Sequence, residues 1–285
     1  MPTGTGWRKG ENGMEPLAIR IPPRVLERME ERGTSKLLTL GDRERAEWLA
    51  QQANKQPGDL TGYDCPECLN RGYIVTVGAD GRRTNRECRC MARRRSEKII
   101  SKSGLSDLLE HCTLESWGAQ ELWQKKLLSW AQKWAQEPSG WFYLAGTPGT
   151  GKTHLCAALC GILMNQGMEC RYMLWRDVSV QAKAVVNDEA EYRRIIDPLK
   201  RVRVLYIDDL FKTGKGQQPT TGDVNLAFEI LNSRYNDTSK ITLLSSELTM
   251  TQILNIDEAV GSRIYERSKH WYFDLTGKPN WRLRN

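Results

Sequence analysis

The stretch AGTPGTGKTH, residues 145–154, sets Gly146, Gly151, Lys152 and Thr153 at the spacing G-x-x-x-x-G-K-[ST]. That pattern suits the binding of phosphate. Gly149 and Gly151 let the backbone curl so that successive amides point inward at phosphate oxygens. The start of a following helix adds its dipole to the same anion. Lys152 is placed to reach β- and γ-phosphates, and the Thr153 hydroxyl to ligate Mg²⁺. Thr147, Pro148, Thr150 and His154 complete the candidate loop. The apolar run WFYLA precedes it and a helical pattern follows, which is the strand–loop–helix context the motif needs.

A second run, VLYIDDLF, puts four apolar residues ahead of Asp208 and Asp209. A buried central strand ending in two carboxylates has this look. Asp208 is the choice for the Mg²⁺-side carboxylate, and Asp209 for the base that orients an attacking water. The next strand, ITLLSSE, ends in Ser245, Ser246 and Glu247, where a polar side chain could touch a γ-phosphate or that water. GSRIYERS then gives Arg263 and Arg267, four apart and on one helical face. Such an arginine either acts in trans on a neighbour's nucleotide, worth about 10³–10⁵ in rate, or forms an ordinary surface ion pair. In PNWRLRN, Arg282 and Arg284 are either a second phosphate sensor or solvated charge.

Cysteines supply a different chemistry. Cys65-x-x-Cys68 and Cys88-x-Cys90 are separated by RGYIVTV, GADG and RRTNREC, a strand–turn–strand pattern with Asp80-Gly81 as the hairpin signal. A hairpin brings its ends together, so the pairs should meet as four thiolate ligands, a set that suits tetrahedral Zn²⁺. Structural zinc supplies about 10–16 kcal/mol in finger peptides, enough to hold a segment this poor in apolar groups. Cys112, Cys156, Cys160 and Cys170 lack paired spacing and read as core residues.

Basic clusters are candidates for nucleic acid. Arg93, Arg94 and Arg95 with Lys98 and Lys102 form either a solvated helical linker or a contact to DNA phosphate. Tyr192, Arg193 and Arg194 combine an aromatic ring with positive charge, the chemistry of single-strand stacking. Lys212 and Lys215 read as the charges of a flexible Gly-rich loop.

These groups need a scaffold. The 285 residues carry a formal charge of +7, which makes a polyanionic partner plausible. No secretory leader or membrane-spanning run is visible, so a cytoplasmic protein with no membrane partner is expected. Residues 1–16 read as a flexible tail. Residues 22–54 suggest two or three short amphipathic helices, through Val25, Leu26 and Met29, then Leu37, Leu38 and Leu40, then Ala46, Leu49 and Ala50. The zinc hairpin is expected over 61–90 and a basic helical linker over 91–103. From 104 onward helices alternate with strands, at 119–136, 141–145, 152–165, 170–174, 224–235 and in ITLLSS. That alternation argues for an α/β layer with a mainly parallel sheet.

GTPGTGKTHL, LYIDDLF, ILNSRYN ahead of ITLLSSELT, GSRIYERS and WRLRN, in that order, resemble the AAA+ P-loop ATPases of the DnaC/DnaI helicase-loader group. The resemblance covers 104–285 and implies an ATP-hydrolysing, Mg²⁺-dependent AAA+ domain that self-associates. It also implies binding to a DnaB-type hexameric replicative helicase and to single-stranded DNA. By family position Arg267 is the finger and Arg282 the second sensor. The family commonly has Asn at the tip of the sensor strand; Glu247 stands here, so the first sensor is either Ser246 or Glu247. Arg234 and Tyr235 match the family's Arg-Tyr pair. DnaI-type loaders are also similar in having an N-terminal zinc-binding, helicase-docking region, which implies docking through residues 1–60 and the hairpin. The alternative is an IstB-type transposition helper ATPase, acting on duplex DNA and a transposase.

Overall fold

The computed structural model describes residues 7–10, 13–16, 41–100, 106–214 and 216–283. The apolar patterns at 22–40, together with Lys102, Lys215 and Arg284, lie outside them. The chain divides into two compact units, residues 1–60 with 66–87 and residues 61–65 with 88–285.

Among its described residues the first unit contains two hairpins and a helix. Strands β1 (Trp7–Gly10) and β2 (Gly13–Pro16) pair antiparallel with Gly10 opposite Gly13. Residues 7–10 and 13–16 of the expected flexible tail are thus paired strands. Helix α1 (Asp42–Asn54) starts at Gly41, with Glu44 reaching back to the Gly41 amide. Strands β3 (Tyr73–Val77) and β4 (Arg83–Glu87) form the expected zinc-module hairpin. Asn54 fixes α1 to that hairpin, donating to Val75 O and accepting from Val75 N, both at 2.9 Å. Arg71 donates to Ala53 O and to the Asn54 side chain.

The second unit is built on a parallel sheet of five strands in the order β6-β7-β8-β5-β9. These are β5 (Trp141–Ala145), β6 (Cys170–Leu174), β7 (Val204–Asp208), β8 (Ile241–Ser246) and β9 (Tyr272–Asp274). Every residue of β5, β7 and β8 is buried. Apolar runs without alternation are what a sheet covered on both faces requires. In β5, Phe142 and Leu144 join the core on one face, and Trp141, Tyr143 and Ala145 that on the other.

The first face is covered by α4 (Leu122–Gln136) and α5 (Lys152–Asn165), and Cys112, Cys156, Cys160 and Cys170 are core residues there, as read. The second is covered by α6 (Trp175–Ala184), α7 (Glu189–Arg201), α8 (Thr221–Tyr235), α9 (Met250–Ile256) and α10 (Glu258–Ser268). Helix α2 (Cys90–Ile100), expected as a linker, packs against β6 and α5. Its buried Ser96 hydroxyl accepts the Cys170 amide at 2.8 Å. A short helix α3 (Ser106–His111) also packs on α5.

Arg234 has no exposed surface. Its guanidinium donates to Leu199 O, Val202 O, Ile241 O and the Thr242 hydroxyl, tying the end of α7 to the starts of β7 and β8. This accounts for the arginine of the Arg-Tyr pair: it holds the fold, and the nucleotide site is at the other end of the strands.

Candidate functional site

Parallel strands gather their carboxyl ends on one edge of the sheet, and the candidate residues sit there. Register decides which of them meet. Ala145 of β5 lies opposite Ser246 of β8, and Ile207 of β7 opposite Leu244. The phosphate loop, the Asp208-Asp209 pair and the Ser245–Glu247 tip therefore emerge side by side, with the β8 tip in the middle.

Residues from each of the three line one cavity of about 480 Å³. Its walls include Pro148, Gly149, Gly151, Lys152, Thr153 and His154 from the loop and α5, and Asp209, Lys212 and Glu247 from the strand ends. Leu108, Cys112, Trp281 and Arg282 complete it. The loop is glycine-rich for two visible reasons. Gly149 (φ +76°) and Gly151 (φ +89°) adopt left-handed backbone, and a Cβ at 149 would strike the Asn280 side chain while one at 151 would strike the Trp117 ring. The C-terminal segment is seated on the loop: Trp281 N donates to Gly149 O at 2.9 Å, and the Thr147 hydroxyl faces Lys278 O at 3.5 Å. The buried Thr150 hydroxyl donates to Thr147 O.

Lys152 donates to Gly146 O at 2.7 Å and Thr147 O at 3.0 Å. Burial lowers its pKa, against the carboxylates of Asp209, Glu247 and Asp208. The Thr153 hydroxyl stands 3.2 Å from Asp208 Oδ1, the pairing expected of two Mg²⁺-side groups. Asp208 also accepts from the Tyr206 hydroxyl at 2.6 Å, the Tyr172 hydroxyl at 3.1 Å and the Ser245 hydroxyl. Four hydroxyls thus surround one carboxylate and fix its direction; the same contact, with burial first, raises the pKa of both tyrosines. Asp209 faces the cavity, and burial followed by the Asp208 charge raises its pKa.

The remaining candidates fall in three places. Arg282 lines the cavity, where a phosphate sensor belongs. Ser246 does not line it: the side chain is fully buried, donates to Leu210 O at 2.7 Å and accepts the Leu248 amide. The reading of Ser246 as the sensor is corrected by this alternation along β8, which turns Ser245 and Glu247 toward the site and Ser246 away. Arg267 lies at the opposite end of the sheet, donating to Tyr235 O and Lys240 O beside the Trp141 ring. A five-residue strand of about 17 Å separates it from its own phosphate loop.

The DNA candidates are only partly presented. Tyr192 is half-buried, packs against the core and donates to Glu229 Oε2 at 2.6 Å. Sequence held the signal: Tyr192, Ile196 and Leu199 repeat at helical spacing, the inward face of α7. Arg193 and Arg194 are exposed and pair with Glu189 and Glu191. Arg94 donates to Thr61 O and Tyr63 O at 2.5 Å, Arg93 stacks over the Tyr63 ring and bonds Asn165, and Arg95 faces Glu169.

The Sγ atoms of Cys65, Cys68, Cys88 and Cys90 all lie within 4.8 Å of one another, and all four residues are buried. Cys65 Sγ and Cys88 Sγ are 3.8 Å apart, the edge of a tetrahedron with metal–sulfur bonds of about 2.3 Å. Gly72 N points at Cys68 Sγ at 3.3 Å, and Leu69 and Asn70 carry left-handed backbone between them. The donor set fits zinc.

The model of the family described as IstB-like ATP binding protein matches residues 84–276. The chain belongs to that family. Its second unit carries a P-loop fold of the AAA+ type. Relatives of this IstB-like chain include YqaM of Bacillus subtilis, 30% identical over 205 residues, covering 68% of this chain and 64% of YqaM. The chain thus spans less than two thirds of that relative's length. XkdC of the phage-like element PBSX of Bacillus subtilis is 29% identical over 232 residues, covering 77% of this chain and 85% of XkdC. The replicative helicase loader DnaC of Escherichia coli is 25% identical over 188 residues, covering 65% and 72%, and meets the DnaC/DnaI resemblance drawn from the motifs. A DnaI crystal structure is similar at TM-score 0.49 and 20% identity, covering 60% of this IstB-like chain and 92% of that one. Among the described residues no helix is long and apolar enough to cross a membrane.

Proposed function

We propose that this chain is an ATP-dependent loader that places a DnaB-type hexameric helicase on single-stranded DNA. The observation carrying the reading is the single cavity shared by the phosphate loop, Asp209, Glu247 and Arg282, in a chain with the DnaC helicase loader among its relatives. The loop amides and Lys152 hold the β- and γ-phosphates of ATP. Leu108, Cys112 and Trp281 offer the apolar wall that a nucleobase needs. Thr153 and Asp208 would hold a Mg²⁺ ion, which would supply charge neutralisation at the phosphates. Asp209 orients the attacking water. Arg267, a strand's length from its own loop, acts in trans on a neighbouring copy. ATP binding then favours the state that grips helicase and single strand, and hydrolysis releases them. The four cysteines would hold Zn²⁺ and so shape the helicase-docking region.

The second reading, an IstB-type transposition helper, draws on the family description alone. Affinity capture of the full chain with a DnaB-type helicase and with a transposase, with and without ATP, separates the two. Retention of helicase in ATP supports loading; retention of transposase alone supports the helper.

A further inference from the structure

The turn after β7 carries a second lysine into the nucleotide cavity. Asp209 (φ +54°) and Phe211 (φ +61°) are non-glycine residues in left-handed backbone. Such conformations persist where the surroundings over-determine them, and often at functional sites. Here the surroundings are explicit. Asp209 N donates to the Ser245 hydroxyl, Leu210 N to Ser245 O, and the Ser246 hydroxyl to Leu210 O. Leu210 and Phe211 are buried, Phe211 edge-on to Trp175. The chain is thereby turned back at Lys212, whose amide donates to Asp209 O at 2.9 Å. Lys212 lines the same cavity as Lys152, Asp209, Glu247 and Arg282, and its ammonium pairs with Glu247 Oε1.

We propose that Lys212 is a γ-phosphate-reading residue, exchanging Glu247 for the terminal phosphate of a bound nucleoside triphosphate and so freeing Glu247 to join Asp209 in orienting the attacking water. The inference rests on the ATPase reading of this site. Three points favour it. Lys212 enters from the strand ends beside Asp209, the side from which water attacks. Its side chain is 35% exposed and that of Glu247 32%, and a pair in contact with solvent is weak enough to exchange. A phosphate oxygen offers Lys212 a charge-assisted bond at least equal to the carboxylate's. A diphosphate lacks that oxygen, so the Lys212–Glu247 pair stays closed and the site distinguishes ATP from ADP.

Equilibrium titration of the full chain with ADP and with a slowly hydrolysed ATP analogue, both with Mg²⁺, tests this. Lys212→Ala should lower the triphosphate-to-diphosphate affinity ratio about tenfold or more, and Lys212→Arg should restore most of it. Glu247→Gln, which removes the competing charge, should raise that ratio while slowing hydrolysis. An unchanged ratio in Lys212→Ala, or equal loss for both nucleotides, overturns the proposal and leaves the pair as a brace for the turn. If Lys212→Ala does not fold, Glu247→Gln decides: a ratio that stays or falls overturns it. Failure of the wild-type chain to bind either nucleotide removes the ATPase reading itself, and this inference with it.

Discussion

Arg234 and Lys152 are both buried cations, yet their partners assign them different work. Arg234 donates to the carbonyls of three segments and touches nothing in the cavity. Arg234→Ala should therefore destabilise the fold by at least about 3 kcal/mol, because several buried acceptors lose their donor together. Urea unfolding measures this; a loss under about 1 kcal/mol would show that water replaces the guanidinium. Lys152→Ala should instead abolish nucleotide binding and leave the unfolding midpoint within the error of the measurement. The phosphate loop and Asp208-Asp209 were legible because each chemical role is tied to a fixed spacing. Lys212 was not, since a lysine in a Gly-rich stretch looks solvated until two left-handed residues are seen to turn it inward. Glu247 and Ser246 were ambiguous for a related reason: the residue facing the site at a strand tip depends on register, which motif spacing does not contain.

At the scale of elements, β5, β6, β7, β8 and α5 appear at the residues read from apolar runs, because a two-sided buried sheet leaves a strong imprint on composition, whereas the three-residue edge strand β9 was not read. Helix α2 was misjudged. Its three arginines suggested a solvated linker, whereas Arg93 and Arg94 clasp the 61–65 segment and Ser96 caps the edge of β6. Ser96→Val should cost roughly 1–3 kcal/mol by leaving the Cys170 amide unpaired, read from thermal or urea unfolding. The hairpin of β3 and β4 has one fully exposed strand, so a metal at the four cysteines is expected to supply much of its stability. Purified protein should contain one zinc per chain. Cys65→Ser with Cys68→Ser should lose the metal and unfold the hairpin, seen by circular dichroism and proteolysis, while ATP affinity stays within about twofold of the wild type. Equal loss of both would show that the hairpin and the nucleotide site fold as one cooperative unit.

For the whole molecule, the separation of Arg267 from its own phosphate loop supports the proposal that hydrolysis is a property of an assembly. Arg267→Ala should bind ATP normally yet lose the assembly-dependent part of its turnover, about 10³-fold or more where a finger supplies the rate. Steady-state hydrolysis on single-stranded DNA checks it, and unchanged turnover refutes the assignment. The central claim is that the nucleotide state of the cavity decides whether a helicase is held. The direct measurement is the affinity of the purified chain for a DnaB-type hexamer in ATP, in ADP and without nucleotide, with Lys152→Ala as the control. The account predicts tight association in ATP, release on conversion to ADP, and no nucleotide response in Lys152→Ala. Equal affinity in all three states, or no helicase binding at all, would contradict it.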